Sequence, residues 1–276
     1  MKRIALLAMI SFFALFTYSQ ITITVDDLLD VGDSINLAGL EEVPQGFSPG
    51  PSGPNQHWDF SDLGQDTVYT LRFIDPATTP YGSSFPGSNI AAEGIIESFA
   101  AEGYAYATRN MGFFKIDGFA GSYDIFEDLV VPFEPPEVMF DFPLNYLDSL
   151  EQTSVMDITI ESPEPAADSV RIKVVTSVES KVDSWGELTT PVWTGQVLRM
   201  RDLRTTIDSS WVKVFFFWVF LESNTSVNLT YKYMANNACY PVMQFNADTT
   251  ETEFSMMNYS VDVGVGQDEL SAKENN

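Results

Sequence analysis

The chain contains almost none of the residues that form disulfides or bind transition metals. It has one cysteine, Cys239, and one histidine, His57, in 276 residues. A lone cysteine excludes an intrachain disulfide, and these two residues cannot by themselves build a tetrahedral metal site. Glycine-rich phosphate-binding loops are also missing. We therefore expect a domain that is stable without covalent cross-links, with Cys239 as a buried, unreactive thiol.

Basic residues are scarce too. Lys and Arg total 14 against 39 Asp and Glu, which gives a formal net charge of −25. No basic residue lies between Lys115 and Arg171, whereas acidic residues recur from Asp117 to Asp168. Because this charge repels nucleic acid and anionic membranes, neither is an expected partner. The acidic stretch predicts either a solvated exterior or a surface that binds divalent cations.

The one long apolar run lies at the start of the chain. Lys2 and Arg3 precede apolar residues 4–16, a pattern typical of a signal peptide over 1–19 with cleavage before Gln20. No cysteine near that site can carry a lipid anchor, and later apolar runs are too short for a membrane helix. We expect a secreted or cell-surface protein without membrane insertion.

A sustained helical period is absent, and short alternating runs take its place. Residues 67–74 and 170–178 alternate between apolar and polar, and a hairpin is predicted to turn at 110–111. Loops rich in Pro, Gly and Ser fill 44–54 and 75–89. The sequence predicts an all-β fold, either an antiparallel β-sandwich or a strongly bent antiparallel sheet with long Pro/Gly-rich loops.

The stretch 169–221 is predicted to form the centre of this fold. After its alternating run come a turn at 183–186, a half-buried strand at 195–204 and a break at 208–210. Residues 211–221 are apolar on both faces, which is typical of a buried central strand.

The β domain is expected to span 20–262. Prolines at 132–136 mark either a boundary between two subdomains or a strap across one domain, since proline interrupts strand ladders and stiffens connections. The polar residues 263–276 are expected to form a flexible tail.

Several segments resemble a known group of exported proteins. Residues 55–61, Asn-Gln-His-Trp-Asp-Phe-Ser, and 75–82, Asp-Pro-Ala-Thr-Thr-Pro-Tyr-Gly, are similar to the opening of Bacteroidota proteins that leave the cell through the type IX secretion system. Residues 183–191 resemble their recurring turn. The resemblance implies contact with the secretion machinery in transit, but no particular activity. It also implies a C-terminal sorting domain after 263–265, Val-Gly-Val, which has either been trimmed from this sequence or been replaced by another route of delivery.

The same bacteria attach O-glycans where Asp is followed by Ser or Thr and then by an aliphatic residue or Thr, and the resemblance implies acceptors here. The matching positions are Ser34, Thr67, Ser149, Ser169 and Thr249. An aspartate before a strand also arises from turn chemistry alone. An intact mass of the exported protein equal to that of the bare polypeptide would reject the modification.

Two sets of side chains are candidates for ligand binding. Asp59, Asp62 and Asp66 lie around one glycine and can supply oxygen ligands to calcium, the one cofactor that the sequence suggests. Three tryptophans adjoin predicted turns, where a ring either stacks on a sugar or packs into the core. They are Trp185, Trp193 and Trp211.

No catalytic residue is assigned. Residues 46–50 match the Gly-x-Ser-x-Gly nucleophile elbow, but Pro49 lacks the backbone N–H that the oxyanion requires. The sequence therefore favours an exported, non-catalytic structural or adhesive β protein whose partner is a surface polysaccharide or a protein. The alternative is a carbohydrate-binding module or a carbohydrate-active enzyme with paired carboxylates.

Overall fold

The computed structural model describes residues 20–40, 42–94, 103–123, 126–162 and 167–263. Thirteen strands and three single-turn 3-10 helices form within these ranges. The strands are β1 Ser34–Leu40, β2 Gly53–Asp59, β3 Thr67–Ile74, β4 Ile90–Glu93, β5 Gly103–Arg109, β6 Phe113–Tyr123, β7 Phe126–Asp141, β8 Ser149–Glu161, β9 Ser169–Thr189, β10 Thr194–Val214, β11 Phe217–Met234, β12 Met243–Ala247 and β13 Phe254–Ser260. The helices are Val25–Asp27, Pro76–Thr78 and Gly82–Ser84. The prediction of an all-β chain is confirmed.

Twelve of the strands close into an antiparallel barrel. Their order is β10-β11-β12-β13-β1-β3-β4-β5-β6-β7-β8-β9, and β9 pairs again with β10. The sandwich prediction was therefore wrong. Alternating strands suit both architectures, and the barrel forms because β9 and β10, each 21 residues long, pair along almost their whole length and join the two ends of the sheet.

The remaining strand, β2, lies outside this ring and runs parallel to β9. One edge of β9 pairs with β8 over residues 169–181 and then with β2 over 184–189. At Gly186 a Cβ atom would lie 2.0 Å from the backbone oxygen of Gln56. The two backbones can approach this closely only because glycine has no side chain there.

The turn predicted at 183–186 is a bulge within β9. Arg199 and Met200 pair with Ser184 and Val182, so Asp183 is the extra residue on its strand. A bulge reorients a side chain and needs the same small and polar residues as a turn, which explains the wrong prediction.

Residues 211–221 are not a buried central strand. They form the tip of the β10–β11 hairpin, which turns at Phe215 and Phe216. The predicted break at 208–210 lies inside β10. Among the described residues, 217–228 pair only with β10, so neither another strand nor a second layer covers them, and Phe216 is 90% exposed.

Pro/Gly-rich loops cover the outer face of the barrel. The segment 42–66, here called the strap, contains β2 and packs Trp58, with Phe47 and Phe60, against outward-facing residues of β11 and β12. The loop 75–89 packs Phe85 against Tyr106 of β5, with ring centroids 4.2 Å apart. Each loop thus buries one apolar patch of the outer surface.

Arg199 fastens the strap to the barrel. Its guanidinium is 2% exposed and donates two 2.9 Å hydrogen bonds to the carboxylate of Asp183. It also donates to the backbone oxygens of Pro49, at 2.6 Å, and Gly50, at 3.2 Å. The rings of Trp58 and Tyr231 lie 5.5 Å and 5.2 Å from it. Burial alone would lower the pKa of Arg199, but the bonds to Asp183 hold it above the ordinary value, so the buried charge is retained.

Three further predictions concern the proline-rich segment, the signal peptide and the C-terminal tail. The proline-rich segment 132–136 lies within β7, and strands on both sides of it belong to the same ring. The expected signal peptide, 1–19, lies outside the described residues, as does the expected tail beyond Val263. No helix within the described ranges has the length and apolarity needed to cross a membrane.

We predict that Asp183→Ala destabilises the fold strongly. The change leaves the Arg199 guanidinium buried without its carboxylate, which typically costs about 3–5 kcal/mol. Urea unfolding followed by tryptophan fluorescence measures the loss. Asp157→Ala is the matched control, because it removes the bidentate partner of Arg171 at a more exposed site and should cost far less. Equal losses in the two variants would contradict the prediction.

Candidate functional site

A cavity of about 300 Å³ lies inside the barrel. Strands β3 to β7 and β9 to β12 contribute to its wall, together with the segments 28–29 and 239–241. Most of the lining side chains are apolar. They include Leu29, Phe73, Ile90, Ala92, Ala105, Ala107, Phe114, Ile116, Phe119, Phe133, Met139 and Phe140.

Two ion pairs contribute to the polar part of the wall, together with Thr176 and Gln244. Arg204 donates from both terminal nitrogens to the carboxylate of Glu137, with one bond of 3.1 Å, and Ser154 donates to the same carboxylate at 3.3 Å. Lys232 donates to Oδ2 of Asp202 at 2.7 Å. Its ammonium lies 5.5 Å from the centre of the Phe140 ring. Each cation in the cavity wall is thus neutralised by its own carboxylate.

These pairs determine which ligands the cavity can recognise. Lys232 and Arg204 carry further N–H groups beyond the bonds to their carboxylates, so each can donate to an acceptor inside the cavity. A ligand carboxylate would gain less electrostatic attraction to these cations, because Glu137 and Asp202 already neutralise both of them. An uncharged ligand with an apolar body and a hydroxyl or carbonyl oxygen fits this wall best.

Cys239 and Tyr240 line one side of the cavity. The Cys239 N–H donates to the Asp27 oxygen at 3.0 Å, and the Leu29 N–H donates to the Cys239 oxygen at 2.8 Å. These bonds hold Cys239 at a φ of 64°. Burial, and then the nearby carboxylate of Asp33, raise the pKa of the Cys239 thiol. Burial raises the pKa of Tyr240 to about 12, so both side chains are neutral near pH 7.

The predicted calcium ligands lie at the end of β2 and in the loop after it. Asp59 accepts a 3.0 Å hydrogen bond from the Ser61 N–H, and bonds from Ser61 hold the pKa of Asp59 below its ordinary value. Asp62 and Asp66 are exposed. In the part of the chain that the structure describes, no three His, Cys, Asp or Glu side chains are grouped so as to hold a metal ion. Calcium binding at these residues stays a prediction.

The three tryptophans predicted to stack on sugars lie in different surroundings. Trp193 packs against the cluster beneath the strap, and Trp185 packs against a separate cluster that contains Val182 and Phe140. Trp211 lies on the hairpin, with its ring 5.8 Å from Phe220 and facing the Arg171 guanidinium. The structure therefore does not gather them into one platform.

The candidate glycosylation acceptors share a structural position. Four of them are the first residues of strands: Ser34, Thr67, Ser149 and Ser169. Thr249 lies in the turn after β12. Ser169 is half-buried and the other four are exposed, so at those four the hydroxyl is open to a transferase. Their modification stays a prediction.

The sequence reading missed the residues that form the cavity. The predicted half-buried strand at 195–204 does not by itself show which of its arginines faces the barrel interior. Arg204 faces the cavity, and Arg199 lies beneath the strap. The available signal was the placement of Lys232 between two tyrosines, because a charge in an apolar strand needs a buried partner.

Comparison of the chain with protein-family models, with curated proteins and with solved structures finds no match. The geometry of the cavity is therefore the basis for assigning a function.

We predict that Cys239 reacts slowly with iodoacetamide in the folded protein. The thiolate is the reactive form, and a raised pKa means less thiolate at any pH below it. The pH midpoint of the labelling rate should lie above that of the same thiol in urea-unfolded protein, as measured by mass spectrometry. Since the chain has one cysteine, the signal comes from this site alone. A folded-state midpoint at or below the unfolded one would contradict the prediction.

Proposed function

We propose that this protein binds a small, uncharged and mainly apolar molecule inside its barrel. The observation that carries the proposal is the cavity of about 300 Å³ with apolar walls. That volume is at the lower end of the range for ligand sites. Water bound in a mainly apolar cavity forms few hydrogen bonds and so stabilises it little. Filling it with a ligand replaces an unfilled space with packed contacts.

The chemistry of the wall favours binding over catalysis. Its carboxylate, Glu137, accepts from Arg204 and Ser154, and its ammonium, on Lys232, donates to Asp202. The thiol of Cys239 has a raised pKa. These groups are therefore occupied or neutral, whereas a general base or a nucleophile needs a reactive form in contact with substrate.

Export and a surface location remain part of the proposal on sequence grounds. They rest on the expected signal peptide and on the resemblance to proteins of the type IX secretion system. The adhesive role is a second candidate function, and the exposed tip of the β10–β11 hairpin favours it. Binding of a polysaccharide at Trp185, Trp193 or Trp211 is tested separately on a glycan array, where an absence of specific binding would reject it.

The neutral probe N-phenyl-1-naphthylamine tests the proposed function, because its fluorescence rises in apolar surroundings. We expect saturable binding by the wild type and a loss of about tenfold or more in affinity for Ala105→Met. Ala105 is 1% exposed and lines the cavity, so the longer side chain fills ligand space. Occupancy by the probe should also slow the alkylation of Cys239.

Val68→Met is the control for this substitution. Val68 is 51% exposed on β3, so the same residue type is introduced outside the cavity and probe affinity should not change. Urea unfolding of both variants shows whether the fold is intact. Undiminished binding in a folded Ala105→Met variant would refute the proposal.

A further inference from the structure

The tip of the β10–β11 hairpin is apolar at its end and on both faces. Its turn is formed by Phe215 and Phe216, which are 78% and 90% exposed. The next residue pairs along the ribbon are Val214 with Phe217, Lys213 with Trp218, Val212 with Val219 and Trp211 with Phe220. Polar pairs follow, beginning with Ser210 and Glu222. We call residues 211–221 the hairpin tip.

The turn residues are unfavourable for an isolated hairpin. Phe215 has a φ of 55°, and a two-residue hairpin turn with positive φ at this position favours glycine or asparagine. A large apolar ring here adds backbone strain to the cost of exposing apolar surface. Both costs point to a function that depends on aromatic side chains at the apex.

One cation lies near the apex, at Lys213, and two carboxylates lie near it: Asp168, whose backbone N–H donates to the Lys213 oxygen, and Glu222, next to the hairpin tip. Lys213 is the one charged residue of the hairpin tip. Ion pairs join the other described lysines and arginines to carboxylates, except Lys181. Lys213 therefore has no ion pair to a described carboxylate, and it lies only two residues from the turn in a chain whose net charge is −25. From that position its ammonium can reach phosphates that surround a buried apex.

We propose that the hairpin tip inserts shallowly into a lipid surface. The rings of Phe215, Phe216 and Phe217 enter the boundary between headgroups and acyl chains, and Lys213 contacts the lipid phosphates. Trp218 lies at the level of the headgroups, where indole rings are favoured. This surface activity is separate from ligand binding in the barrel, and it replaces the expectation from the sequence of a protein without membrane insertion.

Two features favour lipid over a protein groove and limit the depth of insertion. A groove covers one face of a ribbon, whereas apolar residues here occupy both faces and the end. Farther from the turn, alternate residues of β11 direct backbone N–H and C=O groups away from β10, and within the described residues no strand pairs with them over 217–228. Such groups cannot enter hydrocarbon unpaired, so only the apex is inserted.

Sedimentation with sucrose-loaded phosphatidylcholine vesicles tests the proposal, together with the tryptophan emission of the protein. We expect binding by the mature protein, from Gln20 onward, with a blue shift of tryptophan emission. The double variant Phe215→Gly/Phe216→Asn should bind about a hundredfold more weakly or worse, because it removes two buried rings. Its turn chemistry suits the hairpin better, so its thermal stability should be equal or higher. Lys213→Gln should weaken binding less than the double variant does, because it removes only the contact with the lipid phosphates.

Met111→Ser is the matched control, since Met111 is 86% exposed at the turn between β5 and β6. Its vesicle binding should equal that of the wild type. No binding to vesicles by the wild type, or equal binding by the double variant, would overturn the proposal. So would sedimentation velocity showing a vesicle-free dimer that the double variant abolishes, because a second copy would then be the occupant of the tip.

Discussion

The buried ion pair between Arg199 and Asp183 is the interaction on which the architecture depends. The bulge in β9 places the Asp183 carboxylate beside the Arg199 guanidinium of β10, across the ladder that closes the ring. The same guanidinium binds the backbone oxygens of Pro49 and Gly50 and so holds the strap against the barrel. Beneath the strap, the aromatic outer faces of β11 and β12 become core. Arg199 thus holds the proline- and glycine-rich strap in place. Its N–H groups donate both to a carboxylate and to backbone oxygens.

Closure of the barrel places apolar residues on its outer face and on its inner face. Residues on the outer side pack under the strap and under the loop 75–89, where aromatic rings fill the space. Residues on the inner side converge on the cavity, where small side chains such as Ala92, Ala105 and Ala107 leave it unfilled. The two ion pairs in the wall satisfy their own charges, which leaves an interior suited to a neutral guest. Strand β10, one of the two strands that close the barrel, also pairs with β11 to form the exposed hairpin tip, so the β10–β11 pair joins the proposed binding cavity to the proposed lipid contact.

The alternation and turn residues of the sequence predicted individual strands and hairpins well, but they did not predict that the sheet closes into a barrel. Alternation identified β3 at 67–74, and turn residues identified the β5–β6 hairpin at 110–111, because both depend on neighbours in sequence. The bulge at Asp183 was mistaken for a turn since both use the same residue types. The hairpin tip was mistaken for a central strand. A run of apolar residues indicates that these side chains favour an apolar environment, but it does not show whether that environment is the core of the same protein or an external partner. The cavity could not be predicted, because it depends on which faces of nine strands meet across the barrel.

The central claim is that the barrel interior is a binding site for an uncharged, apolar molecule with one polar end. Titration calorimetry with a series of neutral n-alkanols of increasing chain length tests it most directly. Each added methylene buried in the cavity should tighten binding by about 0.8 kcal/mol, with a negative heat-capacity change, until the chain fills the space and affinity stops rising. Ala105→Met should move that limit to a shorter alkanol. Affinity that does not depend on chain length, or a limit that the substitution leaves unchanged, would contradict the claim.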